Sequence, residues 1–244
     1  MTEFESSASE NSEPEIIYED KNFLGISKPA GLLVHSINEK IRSEPTLASW
    51  LVQRYPEVKK VGDNPEIRPG IVHRLDRETS GVMLIPRTQE YFEYFKNLFK
   101  TRQIKKIYLA LVSGEPKTKE GVIDKPIGIK NGSIKRSVHS EKMKKNAVTR
   151  YKVKKTFIHG GLPYSLLEVE PETGRTHQIR VHLASIGHPI AGDKLYGGKG
   201  WANLGGNLML HAYSIEFSLP AQAGRPNGRR FKLEAEPRPS FSSF

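Results

Sequence analysis

Two short segments of this 244-residue chain concentrate side chains that can do chemistry. The first is His73-Arg74-Leu75-Asp76-Arg77-Glu78-Thr79-Ser80-Gly81. It follows Pro69-Gly70 and precedes an apolar run, so it reads as a loop entering a strand. An Asp between two Arg is suited to remaining a carboxylate, because nearby positive charge favours the charged form. Such a group can act as a nucleophile or a base. The same residues also make a structural salt-bridge knot in which Ser and Thr close a turn. On the residues alone, that second reading is the simpler. The other segment is Gly174-Arg175-Thr176-His177-Gln178-Ile179-Arg180-Val181-His182, at an expected helix start. Backbone N–H groups at a helix N-terminus favour anions, and Arg binds carboxylate or phosphate through two bonds. A capped amphipathic helix with an exposed polar face is the alternative.

Other chemistries find little support. His177 and His182 are five apart, and no HExxH occurs, so zinc chemistry is a poor reading. Ser80 has no GxSxG elbow around it. The chain has neither a GxGxxG nor a GxxxxGK[ST] pattern, and the glycines between Gly197 and Gly206 read as a loop. With no cysteine, disulfides and thiolate metal sites are ruled out.

The elements that must position these segments follow from periodicity and punctuation. Ile16–Tyr18 and Phe23–Ser27 flank a turn at Asp20–Asn22 and predict a hairpin. Leu47–Arg54 reads as a helix capped by Thr46. Gly81–Pro86 reads as a short buried strand, and Thr88 caps a helix running to about Lys100. The aromatic stripe of that helix, Tyr91, Phe92, Tyr94, Phe95 and Phe99, is read as core packing and not as a base-stacking platform. Lys106–Val112 reads as a strand. Gly114–Lys145 is polar and basic, either an excursion carrying short strands or a mobile loop. Ala147–Phe157 alternates, with Arg150, Lys152 and Lys154 forming a cationic face. Tyr164–Val169 is a further strand, Thr176–Ile186 a helix ended by Gly187, and Leu208–Leu219 and Phe231–Ala235 are late strands. Many strands with few helices predict an α+β fold with a mixed, mainly antiparallel sheet.

Composition narrows the class. Apolar residues make up 36% and charged residues 27%, as expected of a soluble globular protein. No run of 18 apolar residues exists, so no membrane partner is expected. The start lacks a signal-peptide pattern, and cytoplasmic residence is the simplest reading. The net charge is +11. Lys96–Lys155 holds 18 Lys or Arg against 4 Asp or Glu, which gives +14 and leaves −3 for the rest. A concentrated basic block suggests a polyanionic partner such as nucleic acid, although a solvated surface would look the same.

Taken together and in order, these segments resemble the RluA-type RNA pseudouridine synthases. The resemblance rests on "HRLDRETSG" at His73–Gly81, "KKIYLALVSG" at Lys105–Gly114, "ETGRTHQIRVHLASIGHPIAGDKLYGG" at Glu172–Gly198 and "LMLHAYSIEF" at Leu208–Phe217. The early "YEDKNFLGISKPAGLLVHS" at Tyr18–Ser36 is similar to the family's opening hairpin. It implies an α+β fold with flanking helices and a central active-site cleft, and isomerisation of uridine to pseudouridine in tRNA or rRNA with no cofactor and no metal. It implies that Asp76 is the nucleophile, forming a covalent intermediate or driving formation of a glycal-like one, and that Arg74 enters the RNA stack where the target base has left. Tyr108 would stack on that base and could serve as general base. Arg180 would pair with the catalytic carboxylate, while Ile179 and Leu210 would wall the uracil pocket. Glu78 departs from the family pattern, where Asp is usual. Residues 1–15 are expected to form a disordered tail and 16–240 a catalytic domain of two lobes. The tail is too short for the S4-like module that many relatives carry, so the basic block is the expected RNA contact. A monomer is expected. The competing readings are a non-catalytic RNA binder and a different base-modifying enzyme. The presence of Asp76, Tyr108 and Arg180 argues against the first, and the lack of a methyl-donor or metal motif against the second.

Overall fold

The structure, a computed structural model, describes residues 13–35, 44–130, 133, 135–197, 207–220 and 228–237. The expected tail up to residue 12 and most of the glycine-rich loop before residue 207 lie outside the described residues.

Strands β1 (Glu15–Glu19) and β2 (Phe23–Lys28) form the expected hairpin. Its turn is closed by Asp20, whose Oδ1 accepts the N–H groups of Asn22 and Phe23 at 2.8 Å. Helix α1 (Leu47–Arg54) starts with a reciprocal cap. The Thr46 hydroxyl accepts the Ser49 N–H, and the Ser49 hydroxyl accepts the Thr46 N–H. Strand β3 (Ser80–Pro86) is buried throughout. Helix α2 (Gln89–Lys100) is capped by Thr88, which accepts the Tyr91 N–H. It buries Tyr91, Phe92, Phe95 and Leu98, and Phe95 meets Phe23 and Phe217 edge-on at 5.4 and 5.3 Å. The aromatic stripe is therefore core, as its spacing predicts.

Strand β4 (Lys105–Ser113) precedes the basic excursion, which carries β5 (Glu120–Asp124), β6 (Gly128–Ile129) and β7 (Arg136–Ser137). Strands β8 (Val148–His159) and β9 (Leu162–Pro171) form a long hairpin with a bulge between Val153 and Lys155. Helix α3 (Gln178–Ser185), β10 (Leu210–Ser218) and β11 (Arg230–Glu234) complete the order. Helix α3 starts two residues later than its sequence predicts, because His177 adopts a left-handed conformation at φ 56° and cannot continue a right-handed turn.

One sheet runs β1-β2-β3-β10-β4-β9-β8-β5, and β11 extends it along the second half of β10. Every pairing in it is antiparallel except the short parallel contact of β3 with β10, where Ser80 faces His211 and Gly81 faces Ala212. The architecture is α+β with a mixed, mainly antiparallel sheet, as expected. Two principal clusters of buried side chains flank its middle. One gathers around β1–β3, α1, α2 and the end of β10. The other gathers around β4, β9, α3 and the start of β10. Tyr108 packs against both. No helix among the described residues is long and apolar enough to cross a membrane.

Candidate active site

The parallel contact of β3 with β10 is what places the loop before β3 over the sheet centre. That loop carries Asp76, with a side chain 21% exposed. The Thr79 N–H donates to the Asp76 carbonyl at 3.2 Å, closing a turn within the loop. A second tie comes from below: the buried Lys28 ammonium donates to the carbonyls of Pro29, Leu32 and Arg77 at 2.7, 2.9 and 3.1 Å.

The second chemical segment reaches the same point from the other side. Gln178 is buried and has all four of its hydrogen-bonding positions filled. Its oxygen accepts from the Thr173 hydroxyl and the Arg175 N–H, and its nitrogen donates to the Val148 carbonyl and the Thr149 hydroxyl. This fixes the start of α3, so the next turn presents Arg180 to the cleft.

All six residues picked out from the sequence, Arg74, Asp76, Tyr108, Ile179, Arg180 and Leu210, line one cavity of about 150 Å³. An apolar cavity of about that volume holds one benzene-sized ring, so a single pyrimidine base is the right scale. Ile179 and Leu210 are buried in its wall. Arg74 is exposed at its rim.

The electrostatics differ from the sequence expectation in an informative way. Neither Arg flanking Asp76 in the chain pairs with it. Arg77 bonds the Gly31 carbonyl and Glu44, and Arg74 is exposed at the cavity rim. Successive loop residues project in different directions, so adjacency in sequence did not become adjacency in space. The cation facing Asp76 is Arg180, whose Nη1 donates to its Oδ2 at 3.4 Å. Arg180 in turn is held by Asp193, a residue the sequence reading gave no role. Its Nε and Nη2 donate to the two Asp193 oxygens at 2.7 and 2.8 Å. Asp193 also accepts the N–H groups of Leu195 and Tyr196 through Oδ1. Burial opposes charge on Asp193, but Arg180 and these N–H donors outweigh it and hold its carboxyl below the usual range.

His177 was missed as well. Its Nε2 lies 3.8 Å from Asp76 Oδ2, and its Nδ1 lies 3.0 Å from the Tyr196 hydroxyl. Burial pushes His177 down, with Asp76 opposing and Arg180 reinforcing the fall, so the ring is neutral at physiological pH. A carboxylate in front of Nε2 favours the tautomer with its proton there, which makes the Tyr196 hydroxyl the donor to Nδ1. Tyr196 also receives the Arg136 N–H at 2.8 Å and lies under the Arg180 guanidinium at 5.3 Å.

Tyr108 enters the cavity from β4, opposite Ala212 on one side and Val169 on the other. Burial first, and then the Asp76 charge, push its phenol well above the usual range. It keeps its proton at neutral pH, which is the opposite of what a resting general base needs. Of the two roles the resemblance implies, stacking fits this setting. Among the described residues, no group of three or more His, Asp or Glu stands together as metal ligands would.

Comparison with known proteins bears on the family and the fold. The RNA pseudouridylate synthase family model matches residues 22–185. A Borreliella burgdorferi protein named ribosomal large subunit pseudouridine synthase D is 35% identical over 205 residues, covering 84% of this chain and 61% of its own. An Aquifex aeolicus protein named as an uncharacterized RNA pseudouridine synthase is 38% identical over 220 residues, covering 87% and 67%. The chain thus spans roughly two thirds of the length of these relatives. Among solved structures, human RNA pseudouridylate synthase domain containing 4 superposes with a TM-score of 0.68 at 27% identity, over 94% of this chain and 91% of that one. A family match that runs from the first hairpin into α3 takes in both segments that meet at Asp76, and the chain belongs to the RNA pseudouridylate synthase family.

Proposed function

We propose that this chain isomerises uridine to pseudouridine in RNA, with Asp76 as the nucleophile. The observation that carries the reading is a loop carboxylate facing a cavity sized for one base, with Arg180 against the carboxylate and a protonated aromatic ring beside it. The product is an isomer of the substrate. The N1–C1′ bond breaks, a C5–C1′ bond forms, and the C5 proton is replaced by one on N1. Atoms and electrons balance within the nucleoside, so the reaction calls for no cofactor.

Each residue then has a role set by its place. The Asp76 oxygen bonds to C1′ as the N1–C1′ bond breaks and leaves when C5 bonds to C1′, or it drives formation of a glycal-like intermediate instead, while Arg180 orients it. Tyr108 stacks on the uracil, and Ile179 and Leu210 close the pocket against water. The cavity admits one base, so the target leaves the RNA stack, which costs a few kcal/mol. Arg74, free at the rim, fills the gap and offsets part of that cost. The catalytic unit spans residues 16–240. The relatives' names favour ribosomal RNA as substrate, and transfer RNA is the second arm of the test.

That test incubates ribosomal and transfer RNA from a strain lacking this protein with purified enzyme and maps pseudouridine. New pseudouridine with the parent protein and none with Asp76→Asn is the expected result. An Asp76→Asn protein that isomerises at the parent rate sinks the nucleophile assignment. A parent protein inactive on both RNA classes sinks the reading.

A further inference from the structure

The basic block of the sequence does not form one surface. On β8, Lys152 faces Glu168 and Arg150 faces Glu170 across the hairpin. Arg150 also pairs with Glu172, and Lys154 with Glu168 at 3.3 Å. Lys96, Lys119 and Lys144 have carboxylates of their own. The cationic face of β8 is thus largely neutralised by the alternating glutamates of β9.

Lys100, Arg102 and Lys106 stand apart from this face by their place beside the catalytic cavity. Among the described residues, none has a carboxylate within ion-pair distance. With Arg74 and Arg175 they line a groove of about 460 Å³ beside the catalytic cavity, and Arg74, Lys106, Tyr108 and Arg175 line both spaces. The one acid in the groove lining is Glu172, already held by Arg150. Burial and then Arg102 push the Lys106 ammonium down, with Glu170 only partly opposing. Like charges gathered without a counter-charge destabilise the fold unless an anion joins them.

Arg102 adds an independent sign. It follows α2 in the left-handed conformation, φ 58°, a position that normally takes Gly or Asn. A large side chain kept there at a conformational cost points to a use for that side chain.

We propose that this groove carries the sugar–phosphate backbone of the RNA on one side of the target uridine, with Lys100, Arg102 and Lys106 on its phosphates. The proposal rests on the reading of the chain as an RNA-modifying enzyme. Direct contact between groove and cavity makes the path continuous, since a flipped base in the cavity leaves its neighbouring phosphates at the shared rim.

The experiment measures binding of a labelled RNA hairpin with uridines in its loop, by anisotropy over a range of salt. Each phosphate contact contributes about 0.9 to the slope of log affinity against log salt for duplex and about 0.7 for single strand. The double variant Lys100→Gln/Arg102→Asn is expected to lower the slope by about 1.4 to about 1.8. Asn suits the left-handed position, and an unchanged urea midpoint confirms folding. The charge-keeping pair Lys100→Arg/Arg102→Lys is expected to retain the parent slope, as is the β8 pair Lys152→Gln/Lys154→Gln. A groove variant with the parent slope, or a β8 variant that loses as much, overturns the proposal. If the parent makes pseudouridine while the groove variant keeps its slope, only the groove assignment fails. If the parent neither binds nor modifies RNA, the functional reading fails with it.

Discussion

Asp193 is the residue on which the site's geometry rests, and Asp193→Asn tests that directly. The Asp193 side chain is fully buried and the Arg180 side chain is 6% exposed. In the variant, the amide oxygen can keep the place of Oδ1, with the N–H groups of Leu195 and Tyr196 and one Arg180 Nη. The amide nitrogen then stands where Oδ2 stood, and its hydrogens face the Arg180 Nε–H. One charge-assisted bond, about 1.5 to 3 kcal/mol, becomes a clash of donors. The remaining guanidinium is left buried without its carboxylate, and removing one partner of a buried pair costs about 3 to 5 kcal/mol. A loss of about 3 kcal/mol is therefore expected. With a urea dependence near 3 kcal/mol per molar, the midpoint falls by about 1 M. Asp76→Asn serves as the contrast, because that carboxylate is partly exposed and its bond to Arg180 is long. Its stability is expected to stay within about 1 kcal/mol of the parent while isomerisation disappears. An Asp193→Asn protein with the parent midpoint and full activity refutes the view that Asp193 anchors Arg180.

Three further outcomes follow from other contacts. His73 accepts the Leu84 N–H through Nε2, and burial with Lys106 nearby pushes it down to about 3. The unfolded chain, with a histidine near its ordinary value, binds that proton first, so stability falls as pH drops from about 6.5 toward 3. Between those limits the loss is about 1.4 kcal/mol per pH unit, and urea titrations should find a dependence shallower by that amount in His73→Gln; identical slopes count against it. Gly81 has φ 113°, and a Cβ there lies 2.2 Å from the Ala212 carbonyl oxygen, so Gly81→Ala is expected to lose about 3 kcal/mol or more in the same titration. Arg180→Met should lower the rate about 100-fold while RNA affinity changes far less; equal losses in rate and affinity would make Arg180 only a phosphate contact.

Local signals in the sequence carried much of the fold. The Asp20 turn, the Thr46 and Thr88 caps and the apolar run of β3 each act within a few residues, and each element formed within about two residues of its expected bounds. The insertion of β10 between β3 and β4 depends on pairing across more than a hundred residues, and no local pattern encodes it. The same division runs through the site. Asp76, Tyr108 and Arg180 were legible as motif positions. Asp193, Tyr196 and His177 form a partly buried polar network, and the buried Gln178 separately ties the start of α3 to β8; only the folded chain reveals these partners. One signal was available and went unread: Glu168, Glu170 and Glu172 alternate along β9 in register with Arg150 and Lys152 of β8. That pattern already set carboxylates opposite Arg150 and Lys152 of β8.

The division of Arg180 between two carboxylates bears on reactivity. A guanidinium that clamps a carboxylate through two bonds occupies the lone pairs a nucleophile needs. Here the clamp closes on Asp193, and Asp76 receives a single long contact from the remaining Nη1. On the proposed reading, Asp76 thus has a cation beside it and an oxygen free to approach the sugar. His177 at 3.8 Å is likewise close enough to orient the carboxylate without covering it. Long bonds of this kind tighten when substrate completes the site. Weakening the Asp193 clamp would release Arg180 to close on Asp76 instead, so the Asp193→Asn protein should lose turnover even at temperatures where it remains folded. The clamp's stability and the freedom of the Asp76 carboxylate are two consequences of one arrangement of three side chains.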